Sequence, residues 1–282
     1  VPTALTDDGE PVNILYYGDG GTGKTTDIMH MAKHGKVWVA NAESGIKARA
    51  LRQYDIPIEN IEVFPGEDEE LTFDALLGEW KRIREELHED PDAYFGVAWD
   101  SITEIQQVMK DLEMKRSAVK ASRRGVERDP FVVDQDNWRT INEQCRQLIR
   151  KFRDLPCHFA ASALQRREQD QQDGTVVYMP AVTPGLQNDL IGWMDVVCHT
   201  ETIVVGGEDE FLGLFRPRGK FRGKDRFKML PVRIVNPTVD RVQAYLDGEL
   251  TLDTDEEMRA LKKRMQEDDG STETREEEPL AA

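Results

Sequence analysis

Cysteine is scarce in this sequence. The 282 residues hold three, Cys145, Cys157 and Cys198, scattered and odd in number. They form no metal-ligand spacing and no disulfide framework, which excludes a stapled or zinc-built fold and suits a reducing cytoplasm. Long apolar runs are missing too. None approaches the ~20 residues that a membrane span needs, so no membrane partner is expected. The opening segment, VPTALTDDGEP, has neither a basic region nor an apolar stretch, so no signal peptide is expected. A general excess of positive charge is also absent. Lys and Arg number 37 against 54 Asp and Glu, a net of −17, the reverse of the usual nucleic-acid-binding composition.

What charge there is lies unevenly. Residues 247–282 carry thirteen acids and five bases. Residues 115–128 carry six bases (Lys115, Arg116, Lys120, Arg123, Arg124, Arg128) against Glu127 alone, and residues 216–228 carry seven bases and one acid. An acidic body with two concentrated basic segments differs from a uniformly acidic protein. With 39% hydrophobic residues, the chain is long enough to bury a full α/β core.

Along the chain, short apolar runs alternate with helical periodicity. Strands are expected at 12–17 (VNILYY), 37–40, 61–64, 94–99, 157–163 and 196–202, and further strands after a hairpin near Gly206-Gly207 run to about Tyr245. Helices are expected at 25–33, 44–53, 73–88, 102–114, 137–152 and 186–193. A last helix over 254–265 is expected to start with Thr254 and Glu257 as a capping box. The basic stretch 115–128 has little apolar periodicity and reads as a loop. Residues 165–184 are polar with one DG turn signal and read as a second, mobile loop. The alternation implies an α/β fold with a mainly parallel sheet covered on both faces. The expected organisation is one domain over 1–250, a helix over 251–266 and a disordered acidic tail over 267–282.

Residues 18–25, GDGGTGKT, fit the pattern Gly-x-x-x-x-Gly-Lys-Thr between a strand and a helix. Phosphate oxygens need several donors at once, and the backbone N–H groups of Gly18, Asp19, Gly20, Gly21, Thr22 and Gly23 can supply them where side chains do not block the approach. The helix N-terminus adds a favourable dipole. Lys24 is expected at the β- and γ-phosphates of ATP, Thr25 on Mg²⁺, and Thr26 as a second hydroxyl and cap. Asp100 ends the apolar strand YFGVAW and is the expected second Mg²⁺ holder; an ordinary helix cap is the competing reading. Glu43 follows the second strand and is placed to orient or deprotonate a water; the competing reading is a solvent-exposed loop acid.

In 216–228, RPRGKFRGKDRFK, seven bases alternate. An extended chain puts all of them on one face, where like charges repel unless something anionic meets them. A solvated edge strand that resists aggregation is the alternative.

The order of these features resembles a RecA-type ATPase core, specifically the short phage ATPases of the Sak single-strand annealing type. The resemblance rests on the Gly18–Thr25 pattern, on Ala42-Glu43 after the second strand, on ARALRQYDI and IPIENIEVF, and on the strand ending in Asp100-Ser101. It implies a RecA-like α/β fold, ATP and Mg²⁺ as cofactors, and Glu43 as the catalytic base. It also implies two DNA-binding loops, near 115–134 and 166–186, with Arg166 and Arg167 opening the second. It further implies a basic-x-basic pair reaching the ATP of the next subunit, for which Lys224 and Arg226 fit and Lys220-Phe221-Arg222 fits equally by spacing. The implied activity is ATP-dependent, DNA-stimulated hydrolysis in phage recombination, by annealing or strand exchange. Its partners are single-stranded DNA, further copies of the chain in a ring or filament, and a single-strand-binding protein, in a host cytoplasm. With the phosphate pattern starting at residue 18, RecA's N-terminal module is not expected here, and Ser162, Ala163 and Gln165 all stand where a fourth-strand sensor would lie. A helicase or packaging motor and a P-loop small-molecule kinase remain as alternatives. A GTPase NKxD string and an ABC-type LSGGQ string are both absent.

Overall fold

The computed structural model describes residues 10–126, 129, 132–169 and 174–273, with side chains to 266. The elements in chain order are β1 (Asn13–Gly18), α1 (Lys24–Met29), β2 (Val37–Asn41), α2 (Ala48–Leu51), β3 (Ile61–Phe64), α3 (Phe73–Glu89) and β4 (Gly96–Asp100). Then come α4 (Ile102–Ser122), α5 (Gln135–Arg153), β5 (His158–Gln169), β6 (Val176–Pro180) and α6 (Pro184–Trp193). The chain continues with β7 (Val196–Val205), β8 (Glu208–Leu214), β9 (Lys224–Asp225), β10 (Arg233–Val235), α7 (Val239–Leu246) and α8 (Glu256–Glu273).

The main path of the sheet runs β10-β8-β7-β1-β5-β4-β2-β3, with β6 added to β5 and β9 to β7. From β3 to β7 every neighbouring pair is parallel; β8, β10, β6 and β9 join antiparallel. Because side chains alternate along a strand, β1 feeds two cores. Leu15 and Tyr17 join Trp38, Trp99 and Phe159 beneath α3, α4, α5 and α6. Ile14 and Tyr16 join Val37, Val39 and Ala98 beneath α1 and α7. Burial on both faces is why these strands read as near-continuous apolar runs. A third cluster, Val205, Leu212, Val235, Met258 and Leu261, docks α8 on the antiparallel edge.

Four expectations need correction. The last strands do not run to about Tyr245: β10 ends at Val235, and Val239–Leu246 form helix α7, capped by Thr238 Oγ1 accepting from Arg241 N at 3.4 Å. The stretch 115–128 is not a loop up to its midpoint: α4 continues through Ser122, so Lys115, Arg116 and Lys120 are helical. Its far half is held by α5 rather than by the sheet, through Asn137 Nδ2 donating to Ser117 Oγ at 2.7 Å. That contact adds no second apolar stripe for periodicity to reveal. Arg128 lies outside the described residues. The polar stretch 165–184 is largely structured: β5 runs on to Gln169 and pairs with β6 from Gln165–Pro180 to Gln169–Val176. The polar half, Gln165–Gln169, masked the short apolar run Val176–Pro180 that it pairs with. The last helix starts at Glu256, is capped by Asp255 Oδ1 accepting from Met258 N at 3.0 Å, and extends to Glu273, past the expected end at 266. Thr254 bonds back to Thr251 instead. Residues 274–282 lie outside the described residues.

Candidate functional site

The C-terminal ends of β1, β4 and β5 meet at one place, and the loop after β1 wraps over it. Gly18 has no room for a Cβ, which would collide with the Thr200 carbonyl on β7. Gly23 sits at φ 85°, a left-handed conformation that glycine adopts at little cost, and leads into α1. Thr22 Oγ1 lies 2.7 Å from Thr200 Oγ1, tying the loop to β7. The loop thus presents backbone N–H groups and a helix N-terminus around a depression of about 300 Å³ lined by Gly20, Gly21, Thr22, Gly23, Lys24, Thr25 and Thr26, with Glu43 and Asp100 opposite. Gly18 and Asp19 begin the loop from the end of β1.

Lys24 folds back onto its own loop, donating to Gly18 O at 3.1 Å and Asp19 O at 2.5 Å. Its side chain is 8% exposed as a residue, and burial lowers the ammonium pKa, opposed by Glu43 and Asp100. A cation held on carbonyls beside carboxylates is poised for a stronger anion.

Asp100 is 1% exposed and takes a hydrogen bond on each oxygen: Oδ2 from Thr25 Oγ1 at 2.9 Å and Oδ1 from Ser162 Oγ at 2.5 Å. Burial pushes its carboxyl pKa up, while the two hydroxyls and Lys24 oppose that and Glu43 adds to it. Asp100 is not the cap of α4. That role belongs to Ser101, whose Oγ accepts from Glu104 N at 3.4 Å. Thr25 hydroxyl and Asp100 carboxylate are adjacent hard oxygen donors, the ligand type that Mg²⁺ takes together with phosphate and water. The residues present therefore fit the ion.

Glu43 is exposed, but it is not a free loop acid: Ser101 Oγ donates to its Oε1, and its backbone N and that of Ala42 bond Asp100 O. The carboxyl is thereby aimed across the depression from Lys24. Ser162 reaches this site because β5 lies between β1 and β4, an arrangement no single motif announces. Gln165 instead lies 2.8 Å from His199 Nε2. Sequence reasoning missed Thr200, Tyr54 and Phe211, each brought in from a distant element.

The basic residues divide. Lys115, Arg116, Lys120, Arg123 and Arg124 line a shallow depression on α4 together with the exposed Val119. Among them, Arg116 meets Glu113 at 3.6 Å. Gln106 Nε2 bonds Asn142 at 3.1 Å near the start of α4, while Asn137, at the start of α5, bonds Ser117 farther along. The helices are therefore antiparallel. Since α5 ends just before β5 begins, the far half of α4 extends beyond the C-terminal edge of the sheet, the edge that carries the phosphate loop. The β5–β6 ribbon projects past the same edge. On it Arg166 is paired with Glu168, whereas Arg167 is exposed with no such partner among the described residues.

The reading of 216–228 as one extended basic face is overturned. Only Lys224–Asp225 forms strand. Gly219 turns at φ 54°, and Gly223 packs so tightly on the Arg216 backbone that a Cβ would lie 2.5 Å from Arg216 N, so the chain winds and the charges fan apart. Lys224 and Arg226, expected at a neighbour's ATP, are engaged within the chain. Lys224 Nζ donates to Ile191 O, Gly192 O and Met194 O at 3.0, 2.8 and 2.6 Å, covering carbonyls at the end of α6 that have no helical partner. Burial, with Arg226 nearby, lowers its pKa. Arg226 pairs with Asp195 at 2.7 Å. Lys220 and Arg222 lie elsewhere: the Arg222 backbone bonds the Tyr17 hydroxyl at the end of β1, and Phe221 stacks on His199 at 4.0 Å.

The family described as AAA domain matches residues 10–227, which span every residue of the phosphate site. No curated protein matches the chain. Among solved structures, the flagellar accessory protein FlaH from Methanocaldococcus jannaschii is similar at 10% identity and a TM-score of 0.41, over 80% of this chain and 84% of that one.

Proposed function

The chain belongs to the AAA-domain family and is a P-loop ATPase, and from that premise we propose that its hydrolysis of ATP serves the binding and recombination of single-stranded DNA, by annealing or strand exchange as in Sak-type phage proteins. The observation that carries this is positional: the basic far half of α4 and the Arg167 ribbon project from the same edge of the sheet as the phosphate loop. DNA laid across that edge touches α4, which begins just after Asp100, and the ribbon that leaves the sheet after Leu164, next to the nucleotide.

In this reading Lys24 leaves the Gly18 and Asp19 carbonyls for the β- and γ-phosphates. Glu43 takes the proton of a water as its oxygen attacks the γ-phosphorus, and the β–γ bridging oxygen departs with ADP. When bound, Mg²⁺ on Thr25 and Asp100 offsets phosphate charge. The outside donor from a second copy is Lys220 with Arg222, two exposed bases without carboxylate partners among the described residues. Hydrolysis then occurs at subunit interfaces of a homo-oligomer.

The test is fluorescence anisotropy of a labelled single-stranded oligonucleotide across a salt series, comparing the native chain with Lys120→Glu/Arg123→Glu/Arg124→Glu. The expected result is affinity at least ~10-fold weaker at low salt, with the log–log salt slope shallower by about 2, since each phosphate contact in single strands contributes about 0.7. Unchanged affinity and slope would remove DNA from the account and leave the ATPase.

A further inference from the structure

The turn that carries Lys220 and Arg222 is held far more firmly than its exposure suggests. Arg218 and Phe221 close it, each donating its N–H to the other's carbonyl, at 3.1 and 3.0 Å. Tyr178 N, on β6, donates to Lys220 O at 2.8 Å. The buried Tyr17, on β1, holds Arg222 twice: its hydroxyl donates to Arg222 O at 2.7 Å and accepts from Arg222 N at 2.8 Å.

Between the two bases, Phe221 joins a set of stacked rings. It lies on His199 of β7 with centroids 4.0 Å apart and planes at 24°, and on Tyr178 at 5.4 Å and 29°. His199 is 2% exposed and its Nε2 lies 2.8 Å from Gln165 Oε1, so the surface it offers is itself fixed. Burial holds the His199 imidazole down at about 4, so the ring stays neutral beside the bases. Lys220 Nζ leans over the rings, 5.0 Å from the Tyr178 centroid and 5.3 Å from that of Phe221, where aromatic faces attract a cation.

We propose that Phe221 is the positioning residue of the outside donor: its stack on His199 and Tyr178 holds Lys220 and Arg222 where they reach the γ-phosphate bound by the next copy. The proposal rests on the reading of Lys220 and Arg222 as that donor and adds what aims it. Without the stack the turn has much freedom to lose, since Gly219 lies within it and both bases are long, rotamer-rich side chains. A charge offered from outside a site helps only when it arrives in place, and a misplacement of ~1 Å can cost about 10²-fold in rate. One flat side chain fixes both neighbours at once, because alternation along an extended tripeptide turns the middle residue inward and the outer two outward. The burial agrees: Phe221 is half-buried, and Lys220 and Arg222 are exposed.

The experiment is a double-mutant cycle on Mg-ATP hydrolysis by the full chain: native, Phe221→Ala, Lys220→Ala/Arg222→Ala, and all three changes together. ATP affinity is measured for each, and folding is checked by circular dichroism. Phe221→Ala should bind ATP as the native chain does and hydrolyse it about 10- to 100-fold more slowly. In the background that lacks both bases the same change should slow hydrolysis by less than about twofold, because nothing is left to aim. Phe221→Tyr, which keeps a flat ring, should return most of the rate. Phe221→Leu, which fills the space without one, should be as slow as Phe221→Ala and replaces it in the cycle if the Ala variant does not fold. Native turnover by the folded Ala or Leu variant would overturn the proposal. So would equal slowing with and without the two bases, which would make Phe221 a structural residue. Full activity in Lys220→Ala/Arg222→Ala would instead overturn the donor reading, and this proposal with it.

Discussion

On the far half of α4, Lys115, Lys120, Arg123 and Arg124 are exposed and have no carboxylate partner among the described residues. In the 216–228 segment, by contrast, the charge is shared out. Lys224 and Arg226 serve the end of α6 and Asp195, Arg216 donates to Leu230 O, and Arg218, Lys220, Arg222 and Lys228 are exposed without a carboxylate partner among the described residues. Both segments look like ligand-binding stretches when their bases are counted. What separates them is the neighbourhood: the end of α6 exposes carbonyls that need a cation, whereas the far half of α4 projects beyond the sheet, where among the described residues the only one of these bases that Glu113 engages is Arg116. Availability of a charge is thus a property of the fold around it.

The strongest way to sharpen the comparison is to remove the exposed basic-x-basic pair. Lys220→Ala/Arg222→Ala should bind ATP normally yet hydrolyse it about 10³-fold more slowly or worse, the range for a charge supplied from outside the site. Mixing it with a variant that lacks Lys24 should restore part of the activity, because some interfaces then pair an intact loop with an intact donor. Steady-state turnover of each and of the mixture decides. Full activity in the double variant would mean that the 216–228 segment contributes no charge to hydrolysis.

Glu43→Gln probes the site that both segments are proposed to serve. Hydrolysis should fall ~10²–10⁴-fold while nucleotide binding persists, since the amide keeps the bond from Ser101 but cannot take a proton. Loss of ATP binding in this variant would make Glu43 a structural residue.

The smallest effect separates the two uses of charge within one segment. Lys224→Met should cost about 1–2 kcal/mol of stability, because three carbonyls at the end of α6 lose a half-exposed charged donor. Lys220→Met should stay within about 0.5 kcal/mol. Chemical denaturation reads both, and equal midpoints would erase the distinction.

How much was legible follows from the same physics. The Gly18–Thr25 loop could be read because phosphate chemistry demands neighbouring residues, and Asp100 because an apolar strand delivers it. Glu43 could be placed after its strand, although its bond from Ser101 could not. Ser162 was one of three open choices until β5 was seen between β1 and β4. The β5–β6 ribbon was misread because its first strand, Gln165–Gln169, is polar throughout and hid the short apolar run Val176–Pro180 that pairs with it. The 216–228 segment was misread because a two-residue charge alternation mimics a strand, while Gly219 and Gly223 wind it into turns. Tyr54, just after α2, and Phe211, on β8, carried no local signal at all, since only the folded chain brings these distant segments to the loop.

The central claim is that the phosphate edge of β1, β4 and β5 hydrolyses ATP. The most direct measurement is release of inorganic phosphate from Mg-ATP by the native chain and by Lys24→Ala, with circular dichroism showing that both are folded. The account predicts steady release by the native chain, faster with single-stranded DNA present, and none above background from Lys24→Ala, because its ammonium meets phosphate rather than core. Equal release by the two proteins would contradict it.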